Sequence, residues 1–136
     1  MADLTITAAN VALTPGTTIT GTAGATVTAG QAVYLDSVTS TLKLAQCDGT
    51  AAEADAVGIA LHASLSGQPL THAPTGCLIN IGATTVKTTA YMVSAAVGGV
   101  APQADLVSTN RIVYLGFATN TTGAFVVSIK NANAVV

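Results

Sequence analysis

Apolar positions alternate with hydroxyl residues along much of this chain. Leu4-Thr5-Ile6-Thr7 alternates apolar and hydroxyl side chains, and Thr17-Thr18-Ile19-Thr20 sets Ile19 among hydroxyl residues, the pattern of a half-buried strand. The same reasoning predicts strands over 31–35, 41–45, 56–62, 76–81, 90–94, 111–118 and 124–130. Turn chemistry separates them at Pro15-Gly16, Ala29-Gly30, Asp48-Gly49, Ser66-Gly67, Gly98-Gly99 and Thr122-Gly123. Short runs punctuated by glycine every ~8–12 residues predict an all-β fold, a small β-sandwich or barrel.

Two stretches depart from the alternation and predict one or two short helical turns. In 49–56 an Ala-rich run follows Thr50, with Glu53 three residues on, the spacing of a capping box. In 101–106, Pro102 occupies a position permitted in a first helical turn. These stretches fall at matching places in a weak internal repeat with halves 26–62 and 85–119. The first half carries Ala32-Val33-Tyr34-Leu35 and Val57-Gly58-Ile59-Ala60; the second carries Ala90-Tyr91-Met92-Val93 and Leu115-Gly116-Phe117-Ala118. If the repeat is real, two similar β-units pack into one domain. Gly58 and Gly116 fall mid-strand in both, where glycine marks a bulge or a close backbone approach.

Residues 1–25 read as an extended N-terminal arm, and 26–136 as a single β domain. Thr, Ala and Gly dominate the arm, and its apolar anchors are few. It is either a mobile terminus with one edge strand, or an arm that orders by adding a strand to a neighbouring chain.

Composition changes the picture from fold to function. Half of the 136 residues are hydrophobic, yet aromatics are 4% and charged residues 7%, against about 25% charged in ordinary domains. Few charges keep copies of such a surface apart, which suits a subunit packed in an assembly. The four cations, Lys43, Lys87, Arg111 and Lys130, are dispersed in a chain of net charge −2. That pattern argues against nucleic acid and anionic membrane surfaces as partners. No apolar stretch approaches the ~20 residues that span a bilayer, and the first residues lack the features of a secretory signal. Cys47 and Cys77 form no C-x-x-C motif and read as buried free thiols in a reducing cytosol, with pairing left open.

The chemistry-bearing residues predict no catalytic site, metal or cofactor. His62, His72 and Cys77 assemble a metal site only on paper, because a Pro- and Gly-containing loop separates them. Ser64-Leu65-Ser66-Gly67 reads as a turn, and no Gly-x-Ser-x-Gly elbow exists to focus a triad. Asp48, Glu53 and Asp55 share one Ala-rich stretch and read as solvated. Phosphate-cradling and dinucleotide glycine patterns are absent. Sugar binding would need an aromatic platform, and Tyr34, Tyr91, Tyr114, Phe117 and Phe125 all fall within strand patterns that predict core packing.

The run Thr28-Ala29-Gly30-Gln31-Ala32-Val33-Tyr34-Leu35, with Leu42-Lys43-Leu44-Ala45 and Ala56-Val57-Gly58-Ile59-Ala60, resembles the capsid decoration (cement) proteins of tailed bacteriophages. The resemblance covers residues 26–62 and reaches the second half only through the repeat. It implies a virion protein, made in the host bacterial cytoplasm, that sits on the outer surface of the head and stabilises the shell. The implied partners are the phage major capsid protein and the chain itself, as a homotrimer. No individual site residue carries across. The arm, through Asp3, Leu4, Ile6, Val11 and Leu13, is the expected shell contact. A tail-tube or fibre component, and a glycan-binding β module, are the alternative readings.

Overall fold

The computed structural model describes residues 3–135, so residues 1, 2 and 136 of the two predicted segments lie outside the described residues. The first half contains β1 (Ala12–Leu13), β2 (Ile19–Thr22), β3 (Ala32–Asp36), β4 (Thr41–Leu44), α1 (Ala51–Ala54), β5 (Ala56–Ala60) and β6 (Pro69–Ala73). The second contains β7 (Leu78–Asn80), β8 (Ala90–Val93), β9 (Val100–Pro102), β10 (Arg111–Ala118) and β11 (Ala124–Val135). Single 3-10 turns form at Ala8–Asn10 and Gln103–Asp105. The fold is all-β: two antiparallel sheets pack as a sandwich, and neither closes into a barrel.

The sheets share one connectivity. The five-stranded sheet runs β2-β6-β5-β3-β4, and the six-stranded sheet runs β7-β11-β10-β8-β9 with β1 added outside β7. Within each, a hairpin is followed by a helical turn, a strand that returns beside the hairpin's first strand, and one more beyond it. The correspondence holds residue by residue. Ala32 pairs with Ile59 and Ile59 with Ala73; at the same places Ala90 pairs with Phe117 and Phe117 with Val126. Each returning strand carries a bulge one step further on. Val33 faces Gly58 and Tyr34 faces Ala56, which leaves Val57 unpaired; Tyr91 faces Gly116 and Met92 faces Tyr114, which leaves Leu115 unpaired.

The glycine beside each bulge is required by its neighbours. A Cβ on Gly58 would strike the His72 ring and come within 2.6 Å of the Ala73 carbonyl oxygen. A Cβ on Gly116 would strike the Val126 carbonyl oxygen and lie 2.8 Å from the Phe125 ring. Gly116 also has φ +153°, which side-chain-bearing residues rarely adopt. An aromatic ring from the next strand therefore lies on the bare backbone in each sheet, an arrangement that shields glycine in strands.

The two sheets stack with unlike faces together. One cluster joins Ala32, Ile59 and Ala73 of the first sheet to Tyr91, Val93, Leu115, Phe125 and Val127 of the second. A separate cluster, with Val33, Leu42, Ala60 and Leu70, fills the other face of the first sheet and is closed by Ala23 and Val27. Val33 and Tyr91 are equivalent, yet they face different clusters.

Several predicted elements are corrected. The stretch at Leu4–Thr7 is extended but forms no strand, because its amides bond singly to separate places, Leu4 to the Val100 carbonyl at 2.8 Å and Thr7 to that of Gly82 at 2.7 Å. Residues 69–73, expected as a loop, form β6; Pro69 stands at its first position, where a missing N–H is tolerated. The helical turn expected over 101–106 begins as edge strand β9 and tightens only at Gln103–Asp105. α1 does carry the capping box, with Thr50 Oγ1 accepting from the Glu53 amide at 3.3 Å and Glu53 Oε1 from the Thr50 amide at 3.0 Å.

Gly116→Ala is expected to cost about 3 kcal/mol, combining left-handed backbone strain with overpacking. Gly67→Ala, at φ +88° but with open space around it, is expected to cost only about 1 kcal/mol. Urea unfolding of the two variants beside the parent checks the difference.

Candidate functional site

The groups that sequence reasoning weighed for chemistry are dispersed, and most of them are hydrogen-bonded within the fold. His62 follows β5; its Nε2 accepts from the Thr71 amide at 3.0 Å and its Nδ1 donates to the Ala63 carbonyl at 2.9 Å. His72, on β6, is buried against Gly58, and its Nδ1 has no hydrogen-bond partner. Burial pushes its imidazole below the ordinary value of 6.5. Cys77 lies between β6 and β7 and its thiol donates to the Thr17 carbonyl at 3.4 Å. Among the described residues, no three His, Cys, Asp or Glu side chains gather as a metal-binding group.

Two of the three carboxylates weighed, Glu53 and Asp55, are likewise engaged, and Asp48 is exposed. Glu53 closes the cap of α1, and Asp55 Oδ1 accepts from Asn131 Nδ2 at 3.2 Å. The Ser64 hydroxyl donates to the Pro69 carbonyl at 2.9 Å, which braces the turn before β6. Both cysteines are free and buried. Burial, reinforced by the nearby Asp48 carboxylate, pushes the Cys47 thiol up to about 11. Burial also raises the Cys77 thiol. No helix among the described residues is long and apolar enough to cross a membrane.

The residues expected at a shell contact have divided roles. Asp3 Oδ2 accepts from the Ser94 hydroxyl at 2.6 Å. Leu4 and Ile6 pack on the main core. Ile6 and Val11 lie over Gly30, where a Cβ would come within 2.5 Å of the Ile6 side chain and 3.2 Å of Val11. Leu13 pairs with Ile79 across β1 and β7 and remains 38% exposed. The stretch thus lies along the body, with Leu4 and Ile6 turned inward and Thr5, Ala8, Ala9, Asn10 and Ala12 outward.

The remaining surface is weakly charged and rich in hydroxyl residues, with large apolar side chains scattered over it. Leu35, Val38, Leu65, Val86, Val97 and Val107 are all exposed, Val38 to 91%. The aromatics depart from the expected uniform core packing. Tyr91 and Phe125 meet in the interior with ring centroids 6.0 Å apart, whereas Phe117 is 43% exposed. Composition flagged a self-associating surface, but strand alternation alone did not separate Phe117 from its buried neighbours. No protein-family model matches the chain, and no curated protein is significantly similar to it.

Both thiols are expected to resist an aromatic disulfide reagent in the folded protein and to react together only in denaturant. A thiol titration with and without guanidinium reads this directly. His72 sets an expected acid dependence. The unfolded chain takes up a proton near pH 6.5, whereas the folded chain resists it until lower pH. Stability is then complete above that value and falls as pH drops below it. Urea midpoints between pH 7.5 and 5 should show a decline that His72→Phe, which copies Phe125 at the equivalent position, flattens.

Proposed function

We propose that this chain is a structural subunit of a tailed-phage virion, a decoration protein that binds the outer surface of the head and stabilises the shell. The observation that carries the reading is the surface. It exposes large apolar residues around the body, from Leu35 and Val38 to Val97 and Val107, on a chain that is 7% charged. Such a surface is a liability for an isolated monomer and an asset for a subunit buried in an assembly. His62, Ser64, Glu53 and the thiols have structural environments that account for them, which favours a structural role over a catalytic one. The resemblance of residues 26–62 to decoration proteins supplies the head as the place.

Binding at many lattice points offsets a weak individual contact, so the affinity needed per subunit is modest. The outward side of the 3–13 stretch, with Leu13 at its end, is the proposed shell contact. Purified protein is expected to pellet saturably with empty expanded heads of a tailed phage and to raise their resistance to heat. Leu13→Asp should weaken that pelleting about tenfold, the effect of losing an interface anchor worth about 1.4 kcal/mol. Thr39→Asp, on an exposed hairpin, should leave it unchanged. Absence of pelleting at any concentration overturns the reading.

A further inference from the structure

We infer that Asp48 is a site of spontaneous backbone modification, at which its side chain closes on the Gly49 amide and reopens as isoaspartate. The pair lies in the bend between β4 and α1. Asp48 is exposed, and its carboxylate accepts no hydrogen bond from the described residues. The Gly49 amide likewise donates to none of them. The attacking nitrogen and the carbon it attacks are therefore both unengaged, in the exposed loop setting where change is best tolerated. Gly49 is also the neighbour that ring closure favours, because no side chain shields its nitrogen. The fold demands that bareness. A Cβ on Gly49 would lie 2.7 Å from Gln46 Nε2 and 2.9 Å from Glu53 Oε1, the oxygen that closes the cap of α1.

In the first step the Gly49 nitrogen bonds to Asp48 Cγ, and the amide proton leaves with the carboxyl OH as water, giving a five-membered succinimide. Water then adds at the main-chain carbonyl carbon of Asp48 and breaks its bond to the Gly49 nitrogen. The chain now runs through Cβ and Cγ, with no net change in mass. The neutral acid is the form that expels water, which separates Asp48 from the pair Asp36-Ser37. There Lys43 Nζ donates to Asp36 Oδ2 at 2.7 Å and the Val38 amide to Oδ1 at 2.9 Å. These bonds hold the Asp36 carboxyl below its ordinary value of 3.8 and so keep it ionised. Asp3, Asp55 and Asp105 precede Leu4, Ala56 and Leu106, whose β-carbons hinder attack.

Isoaspartate adds an atom to the backbone of a loop that is tied at both ends. The Gln46 amide donates to the Glu53 carbonyl at 3.1 Å across the loop. Cys47 joins the two halves of the chain, its amide donating to the Ser94 carbonyl at 2.9 Å and its carbonyl accepting from the Arg111 amide at 2.8 Å. The longer path displaces Gly49, whose carbonyl accepts from Arg111 Nε at 3.4 Å, and disturbs the cap. Ageing at this bond therefore weakens the join between the halves.

The inference is independent of the proposed virion role. The full chain, folded or in urea, is incubated for weeks at growth temperature. Methyl transfer by an isoaspartyl methyltransferase then counts the modified residues, and peptide fragmentation places them. The folded parent should accumulate isoaspartate at Asp48 alone, and Asp36 should join it in urea. Asp48→Glu, whose ring would be larger by one member, should lose the signal. Asp48→Asn should react faster than the parent, releasing ammonia and gaining one mass unit. The modified fraction should melt about 3 °C lower, the shift expected when a domain of this length loses part of a helix cap. Folded parent and folded D48N that both stay unmodified overturn the inference, as does a signal that persists in D48E. A modified fraction that melts with the parent overturns the weakened join.

Discussion

The close approach of an aromatic ring to a bare glycine backbone is the contact on which the two sheets depend. At Gly58 and Gly116 one residue is left out of the ladder, and the returning strand bends and twists at that point. The ring of the following strand, His72 or Phe125, fills the space where a side chain would stand. Remove the glycine and the strand beyond it can no longer close on the hairpin. A bulge in both sheets at the same register also gives them the same local twist, and two sheets of like twist stack well.

From that common frame the halves have been put to different uses. The first sheet is covered on both faces and has small residues, Ala32 and Ala73, where the second sheet presses on it. At the same places the second sheet has Ala90 and the larger Val126, and Phe117 instead of Ile59. The ring positions diverge as well. Phe125 meets Tyr91 at a tilt in the interior, and a phenyl ring brings no polar atom that needs a partner. His72 brings an imidazole into an equivalent but differently covered pocket and leaves Nδ1 unsatisfied, a cost the first sheet bears and the second avoids.

Most of the architecture was legible because it is written in period two. β10 coincides with its expected span, and the expectations for β3, β4 and β8 are displaced by a residue at most. Gly58 and Gly116 were readable as bulge sites because a glycine amid β-branched and apolar residues has few other uses. The failures share a cause in context. Leu4–Thr7 alternates like a strand but finds no continuous edge to pair with. β6 begins at a proline and includes a histidine, so its local signal is that of a loop; only its neighbours β2 and β5 make it a strand. The surface was harder. Phe117 and Ile59 occupy the same register in the two halves, and what separates an exposed ring from a buried one is the stacking order of the sheets, which no local pattern encodes.

The strand β1 has a consequence for the order in which the molecule is completed. It is drawn from just ahead of β2, yet it closes the edge of the other sheet at β7. Every strand of the first sheet lies between residues 19 and 73, so that sheet has its full set of partners before β7 has been synthesised. Residues 3–13 wait longer, since their partners are Leu78–Asn80, Gly82, Ser94 and Val100. At ~5–20 residues per second on the ribosome, the delay is several seconds. A stretch made ahead of the first sheet thus settles only once part of the second has been made, a latch between the two.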